Sequence, residues 1–387
     1  MRLSKRLDLF GNEVFAALNL RRRELEAKGR EVYDLSVGTP DFAPDQRLID
    51  AMVKSAANPD NWKYSLHDRD ELDKAVCDYY RRRYGVDGIT PDMVMSCHGT
   101  QEGMGFVCQA LVDPGDTVLV PDPCYPLFRT ASLLAGAKLA FYPLSAEHDF
   151  LPYVEGIPDD VADAARYMVV SLPANPVGSV GTPEVYRQII DFAKAHDIVI
   201  IHDNAYSDIV FDTKEPGGSF LAYEGALDVG VEFLSLSKSF DVTGVRLSFL
   251  VGRPDIVAAA QKLHGQLDYG MFFPEQDVAI AALTGPLDGV ERQRMAYQER
   301  RDALCDALEQ IGWERPNAHG SMFVWARIPG GRMDSVDFVL ELMEKSGVIV
   351  TPGASFGPAG EGFVRMALVM PPERLREAVE KIHEAGF

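Results

Sequence analysis

The sequence has little cysteine, and none of it is paired. Cys77, Cys97, Cys108, Cys124 and Cys305 are odd in number and widely spaced, which supplies neither a disulfide framework nor a metal-ligand pattern. Buried thiols are the expectation. The eight histidines include no His-Glu-x-x-His, so no metal site is expected. Long apolar runs are missing too. The basic residues of Met1-Arg-Leu-Ser-Lys-Arg6 are not followed by one, which argues against a signal peptide or membrane span and for a cytoplasmic protein. Positive charge is in deficit: 38 Lys and Arg stand against 58 Asp and Glu, a formal net charge of -20. A surface of that sign repels phosphate backbones and anionic membranes, so neither nucleic acid nor membrane is an expected partner. Internal repeats, low-complexity tracts and charged tails are absent as well.

What is present fits a large globular chain. Its 387 residues, 47% hydrophobic and 25% charged, suffice for about two to three domains and a sizeable core. Phe15, Leu18 and Leu25 fall at helical spacing before Gly29, and Val32–Phe42 reads as a short strand broken at Gly38 and Pro40. Trp62-Lys-Tyr64 precedes a helix over Glu71–Arg83. Between residues 93 and 252, seven short apolar runs alternate with helical patterns. Apolar strands separated by helices predict an α/β fold with a largely parallel sheet covered on both faces. After about residue 286 the character changes to α+β. The expected division is a large domain over 45–285 and a smaller α+β domain from 1–44 and 286–387.

Ligands of open α/β sheets bind beyond the carboxyl ends of the strands, so the residues just past each run matter most. Ser96-Cys-His-Gly-Thr-Gln-Glu-Gly103 enters a helix, where Gly99, Thr100 and Gln101 suit a phosphate. Neither a G-x-G-x-x-G fingerprint nor a Walker sequence occurs there, which removes the main support for a dehydrogenase or a P-loop enzyme. Tyr125, flanked by Pro123 and Pro126, is a stacking platform or a core filler. Asn175, before Pro176, starts a turn or donates to a phenolate oxygen. Asp203 follows four apolar residues, with Tyr206 three positions on; a carboxylate there caps a helix or pairs with a buried cation.

Ser235-Leu-Ser-Lys-Ser-Phe-Asp-Val-Thr-Gly-Val-Arg246 supplies one lysine among hydroxyls with an arginine eight residues on. Lys238 there is either an ordinary solvated loop charge or an amine tuned by partial desolvation, which lowers its pKa and makes it nucleophilic toward carbonyls. Ser235, Ser237 and Arg246 beside it form an anion site. An aldehyde that is also a phosphate ester uses both halves, and pyridoxal phosphate is such a cofactor. Arg365, in the run Phe363–Val369, is an exposed edge residue or a carboxylate ligand.

The order Asn175-Pro, Asp203-x-x-Tyr206, Ser235-x-Ser-Lys238, Arg246 and Arg365 resembles the class I/II aminotransferases, pyridoxal phosphate enzymes of fold type I. The resemblance runs through nearly the whole chain. It implies transfer of an amino group from an L-amino acid to a 2-oxo acid, 2-oxoglutarate or pyruvate, in two half-reactions, with Lys238 forming the aldimine and moving the proton. Asp203 would hold the pyridine nitrogen, Asn175 and Tyr206 the 3-oxygen, and Tyr125 would stack on the ring. Gly99, Thr100, Gln101, Ser235, Ser237 and Arg246 would hold the phosphate, while Arg365 and the Gly38 backbone would take the α-carboxylate. Tyr64 looks like the tyrosine that reaches the neighbouring subunit's phosphate, which implies a homodimer with shared sites. Leu267–Gln276 resembles the substrate-side loop of members acting on alanine or LL-diaminopimelate, and Phe10–Phe15 is the other stretch expected to bear on substrate choice.

Three positions depart from the family's pattern. Arg69 stands where a glycine is usual, Val245 where many relatives have tryptophan, and Val177 where threonine is usual. Two other activities fit the same residues: a carbon–sulfur β-lyase, and a non-catalytic regulator that keeps the cofactor. The strong negative charge and the lack of a DNA-binding segment weigh against the regulator.

Overall fold

The computed structural model describes residues 3–9, 13–213 and 217–387, without the side chains of residues 13–17 and 19. The stretch Phe10–Phe15 therefore falls outside the described residues up to Asn12 and outside the described side chains beyond it. In chain order the strands are β1 (Tyr33–Asp34), β2 (Val94–His98), β3 (Thr117–Asp122), β4 (Lys138–Pro143), β5 (Ala165–Ser171) and β6 (Val199–Asp203). They continue with β7 (Gly230–Ser235), β8 (Leu247–Gly252), β9 (Phe323–Arg327), β10 (Val348–Ile349), β11 (Thr351–Pro352) and β12 (Phe363–Ala367).

Seven of these form the main sheet, in the order β2-β8-β7-β6-β5-β3-β4. Strands β3 to β7 pair in parallel, whereas β8 is antiparallel to both of its neighbours, β7 and β2. Strand β2 thus runs with the majority, and only β8 is reversed. The reason is the connection. Parallel neighbours need a crossover of a dozen or more residues, usually a helix. The link between β7 and β8 holds only the helical turn Leu236–Ser239 and the short turn Thr243–Val245, so the chain can only fold back.

Alternate residues of the central strands feed two cores. On β5, Met168 and Val170 join one cluster and Tyr167 and Val169 the other, because successive side chains point to opposite faces. At about 1.5–3 kcal/mol per fully buried aliphatic side chain, this double coverage makes the sheet a rigid platform. A third core joins Leu18, Leu25, Tyr33 and Leu35 to Tyr297 and the helices Ser335–Ser346 and Pro372–Glu384. It also takes in Tyr206, Ile209 and Phe211, so the segment after β6 is anchored in this third core.

Several expected elements differ in extent. The strand read over Val32–Phe42 shrinks to Tyr33–Asp34, paired with Val348 and Ile349; beyond it Gly38 and Pro40 break the ladder, proline lacking an N–H to give. The helix read over Glu71–Arg83 spans Asp70–Tyr79 and then widens into a five-residue turn closed by Gly85 at φ 68. Arg365 is not an edge residue: it is buried in the central strand of the sheet β11-β12-β9, opposite Thr351 and Trp325.

Candidate active site

The carboxyl ends of β5, β6 and β7 open on a cleft of about 560 Å³, within the usual range for small-molecule sites. Lys238 lies in the helical turn that follows β7. Ser235 caps that turn, its hydroxyl accepting the Ser237 N–H at 3.3 Å, so two residues expected to meet a phosphate also fix the turn that aims the lysine. The Lys238 Nζ donates to the Gly38 carbonyl at 2.7 Å. Burial, reinforced by the positive charges of Arg365 and Arg246, brings its pKa down to about 8. The Gly38 backbone, expected to meet a carboxylate, here presents an acceptor to the amine. A side chain at Gly38 would collide with the Phe323 ring.

Asp203 ends β6 between Ser171 and Phe233 of the adjacent strands. It is 6% exposed, and burial raises its pKa to about 6, against the influence of His202. Its Oδ1 has no hydrogen-bond partner. Behind it lies a saturated buried network: Glu232 accepts from Tyr80, Ser219, the Phe220 N–H and His202 at 2.7–2.9 Å. Sequence reasoning missed Glu232 and His202, which look like any charged residues within strands.

Tyr206 hydrogen-bonds Asn175, and burial pushes its phenol far up. Asn175 Oδ1 in turn accepts from Arg365 Nη1 at 3.0 Å. Arg365 Nη2 donates to the Ser36 carbonyl at 2.7 Å, and the guanidinium carbon sits 4.0 Å from the Phe323 ring centre and 4.8 Å from that of Phe356. Burial lowers the Arg365 pKa to about 10. No carboxylate pairs with it among the described residues, and its Nε is buried without a partner. Phe323, Phe356 and the Ser36 carbonyl are further residues that sequence reasoning missed, since an aromatic in a strand reads as core.

At the other end of the cleft Gly99, at φ 86, opens the helix Thr100–Leu111. Any side chain there would run into the Arg246 guanidinium. Thr100 Oγ1 is buried without a partner, Gln101 donates to the Tyr125 hydroxyl at 3.2 Å, and Arg246 occupies the left-handed region at φ 65. Thr100, Gln101, Ser235, Ser237, Arg246 and Tyr125 line the same cleft as Lys238, Asp203, Asn175, Tyr206, Gly38 and Arg365. Tyr64 does not line it; it is 78% exposed and packs edge-on against Tyr269. Leu267–Gln276 also lies outside that lining. Arg69 bonds to Asn61 and Asp277, with its backbone held by Gln276, so its charge is spent on structure. A second cavity, about 630 Å³ between Phe42, Arg47, Asp241 and Gln293, offers no lysine.

Three buried, unpartnered polar atoms thus mark three corners of the Lys238 cleft: Asp203 Oδ1, Thr100 Oγ1 and Arg365 Nε. They ask for a cationic nitrogen, a phosphate and a carboxylate. The sequence profile of aminotransferase class I and II matches residues 30–382. The chain belongs to the class I and II aminotransferases. It is 39% identical over 380 residues to the LL-diaminopimelate aminotransferase of Aquifex aeolicus, covering 98% of both chains, and 38% identical to that of Moorella thermoacetica, covering 95% of this chain and 94% of that one. Among solved structures it resembles apo-BacF of Bacillus subtilis with a TM-score of 0.95 and 33% identity, over 100% of this chain and 99% of the other. As a fold type I aminotransferase it uses pyridoxal 5'-phosphate to move an amino group from an amino acid to a 2-oxo acid. Of the activities its residues fit, amino transfer is the one these relatives bear out, rather than the β-lyase or the non-catalytic regulator.

Proposed function

We propose that the Lys238 cleft is the aminotransferase centre and that LL-diaminopimelate, with 2-oxoglutarate as the partner oxo acid, is the first substrate pair to test. The observation that carries the reading is the convergence of a pKa-lowered amine, an orphaned carboxylate oxygen and an unpaired buried guanidinium in one cleft. Bound pyridoxal phosphate supplies an aldehyde for the amino group and a ring that accepts electrons. The chain supplies the rest. Asp203 would hold the ring nitrogen, Asn175 and Tyr206 would bind the ring oxygen, and Tyr125 would lie against the ring. Gly99, Thr100, Gln101, Ser235, Ser237 and Arg246 would hold the phosphate.

Arg365 orients the substrate carboxylate with a fork of donors, while Lys238 Nζ takes the proton from the amino-bearing carbon of the substrate and holds it for the 1,3 transfer. With its pKa at about 8, roughly a quarter of Lys238 is neutral near pH 7.5, against about one part in a thousand at the ordinary value. The second carboxylate of a dicarboxylic substrate has no cation assigned to it in the cleft, since Lys238, Arg246 and Arg365 are already committed. The protein is read as a cytoplasmic homodimer in which Tyr64, 78% exposed and outside its own cleft, and the Leu267–Gln276 stretch serve the partner's site. Holoenzyme given LL-diaminopimelate and no oxo acid should release one equivalent of oxo product and lose its aldehyde-form absorbance. Repeated release of thiol, ammonia and pyruvate from an S-alkylcysteine offered in its place would instead identify a β-lyase, and a coloured protein inert to both amino acids would refute both readings.

A further inference from the structure

We infer that His98, Glu102, His264 and Asp268 form a binding site for one divalent transition-metal ion of the zinc type. The four come from three places. His98 ends β2, Glu102 lies in the first turn of the helix Thr100–Leu111, and His264 and Asp268 close the helix Pro254–Leu267. One ligand atom from each falls within 4.8 Å of the others. His98 Nδ1 is 3.3 Å from Glu102 Oε1 and 3.5 Å from Asp268 Oδ2, and His264 Nε2 is 4.0 Å from the same Glu102 oxygen. A tetrahedron with metal bonds of about 2.0–2.1 Å has edges of about 3.3–3.4 Å, so the two shortest pairs already stand near that spacing and the widest must close by up to about 1.4 Å on binding.

His264 points to a ligand independently of the cluster. It is 7% exposed, and its Nε2, aimed at Glu102, is buried without any hydrogen-bond partner. An imidazole nitrogen left so is costly unless something fills the gap. The carboxylates are already oriented. Glu102 Oε2 accepts the His98 N–H at 2.5 Å and Asp268 Oδ1 the Gly270 N–H at 3.4 Å, which turns the other oxygen of each inward. His98 Nε2 lies 3.7 Å from Glu275, the carboxylate–histidine backing common behind metal ligands. Three carboxylates around two imidazoles favour a dication, and the imidazoles select zinc-type ions over Mg²⁺ or Ca²⁺. Sequence spacing hid the set because its members are far apart in the chain. His98 and Glu102 bracket Gly99–Gln101, so the ion would brace the residues proposed to hold the phosphate.

Holoenzyme stripped with a chelator and dialysed against micromolar ZnCl₂ should take up about one zinc per chain, and none of the magnesium offered as MgCl₂. His264→Gln and Asp268→Asn, each checked for unchanged cofactor absorbance and melting temperature, should bind zinc at least tenfold more weakly. The Asp268 side chain is 43% accessible, so its variant stays informative if the His264 variant misfolds. No zinc uptake by the unmodified protein, or equal uptake by the variants, would overturn the assignment and leave the four as an ion-pair network. Metal content is read without substrate, so this result is separate from that of the amino-transfer test.

Discussion

Asp203→Asn should move stability and activity in opposite directions. In the cofactor-free protein, burial lifts the Asp203 pKa from 3.8 to about 6, a gap worth about 3 kcal/mol at 1.36 kcal/mol per unit. The folded pKa is raised, so the folded chain keeps a proton that the unfolded chain has already released between about pH 4 and about pH 6. Stability therefore falls as pH climbs through that window, and the full penalty for a buried charge is present above it. Asparagine removes the charge and keeps an oxygen for the Ala205 N–H. Cofactor-free D203N should accordingly melt higher than the parent near pH 7.5, by about 4 °C for a chain of this length, and the difference should shrink as pH is lowered toward 4. With cofactor bound the sign reverses, because the parent gains an ion pair that the variant lacks, and turnover should fall by roughly a hundredfold or more. Calorimetry of both proteins, with and without pyridoxal phosphate across pH 4–8, decides it. A cofactor-free variant no more stable than the parent, or a gap that persists unchanged at acid pH, would refute the reasoning.

Other outcomes follow from the same geometry. Cofactor-free protein should be modified by small aldehydes at Lys238 with a pH midpoint of about 8, well below that of solvent-exposed lysines, and Lys238→Ala should retain no borohydride-fixed cofactor after denaturation. Arg365→Lys keeps the charge but loses the fork; at about 1.5–3 kcal/mol for a charge-assisted hydrogen bond, kcat/KM for an amino acid should drop about 10- to 150-fold, and far less for the corresponding amino-acid amide. Gly99→Ala forces a methyl toward the Arg246 guanidinium at a φ of 86, so cofactor affinity measured by absorbance titration should weaken by about tenfold or more while Lys238 still reacts.

Much of the cleft was legible in the sequence because the strands stop abruptly. Runs such as Ile198–Ile201 leave no doubt where buried backbone ends, and Asp203, Asn175 and Lys238 come just past such ends. The hydroxyls beside Lys238 were legible for the same reason. The reversal of β8 was not, since a strand buried on both faces reads the same in either direction; only the length of the link before it carries that information. Arg365 was readable as a residue out of place but not as a buried one, because period-2 alternation does not say which face is covered. Phe323, the Ser36 carbonyl and Glu232 act through tertiary contacts with residues far along the chain, and nothing local in their neighbourhoods distinguishes them.

The fold-back between β7 and β8 acts as a caliper. One short link carries the amine at one jaw and the guanidinium at the other, each jaw clamped by its own strand, so their spacing is set by the sheet itself. Adding or deleting a residue between Ser239 and Arg246 would leave both side chains in the protein yet open the jaws to the wrong span. A ligand could then reach its aldehyde anchor or its phosphate anchor, but not the two together.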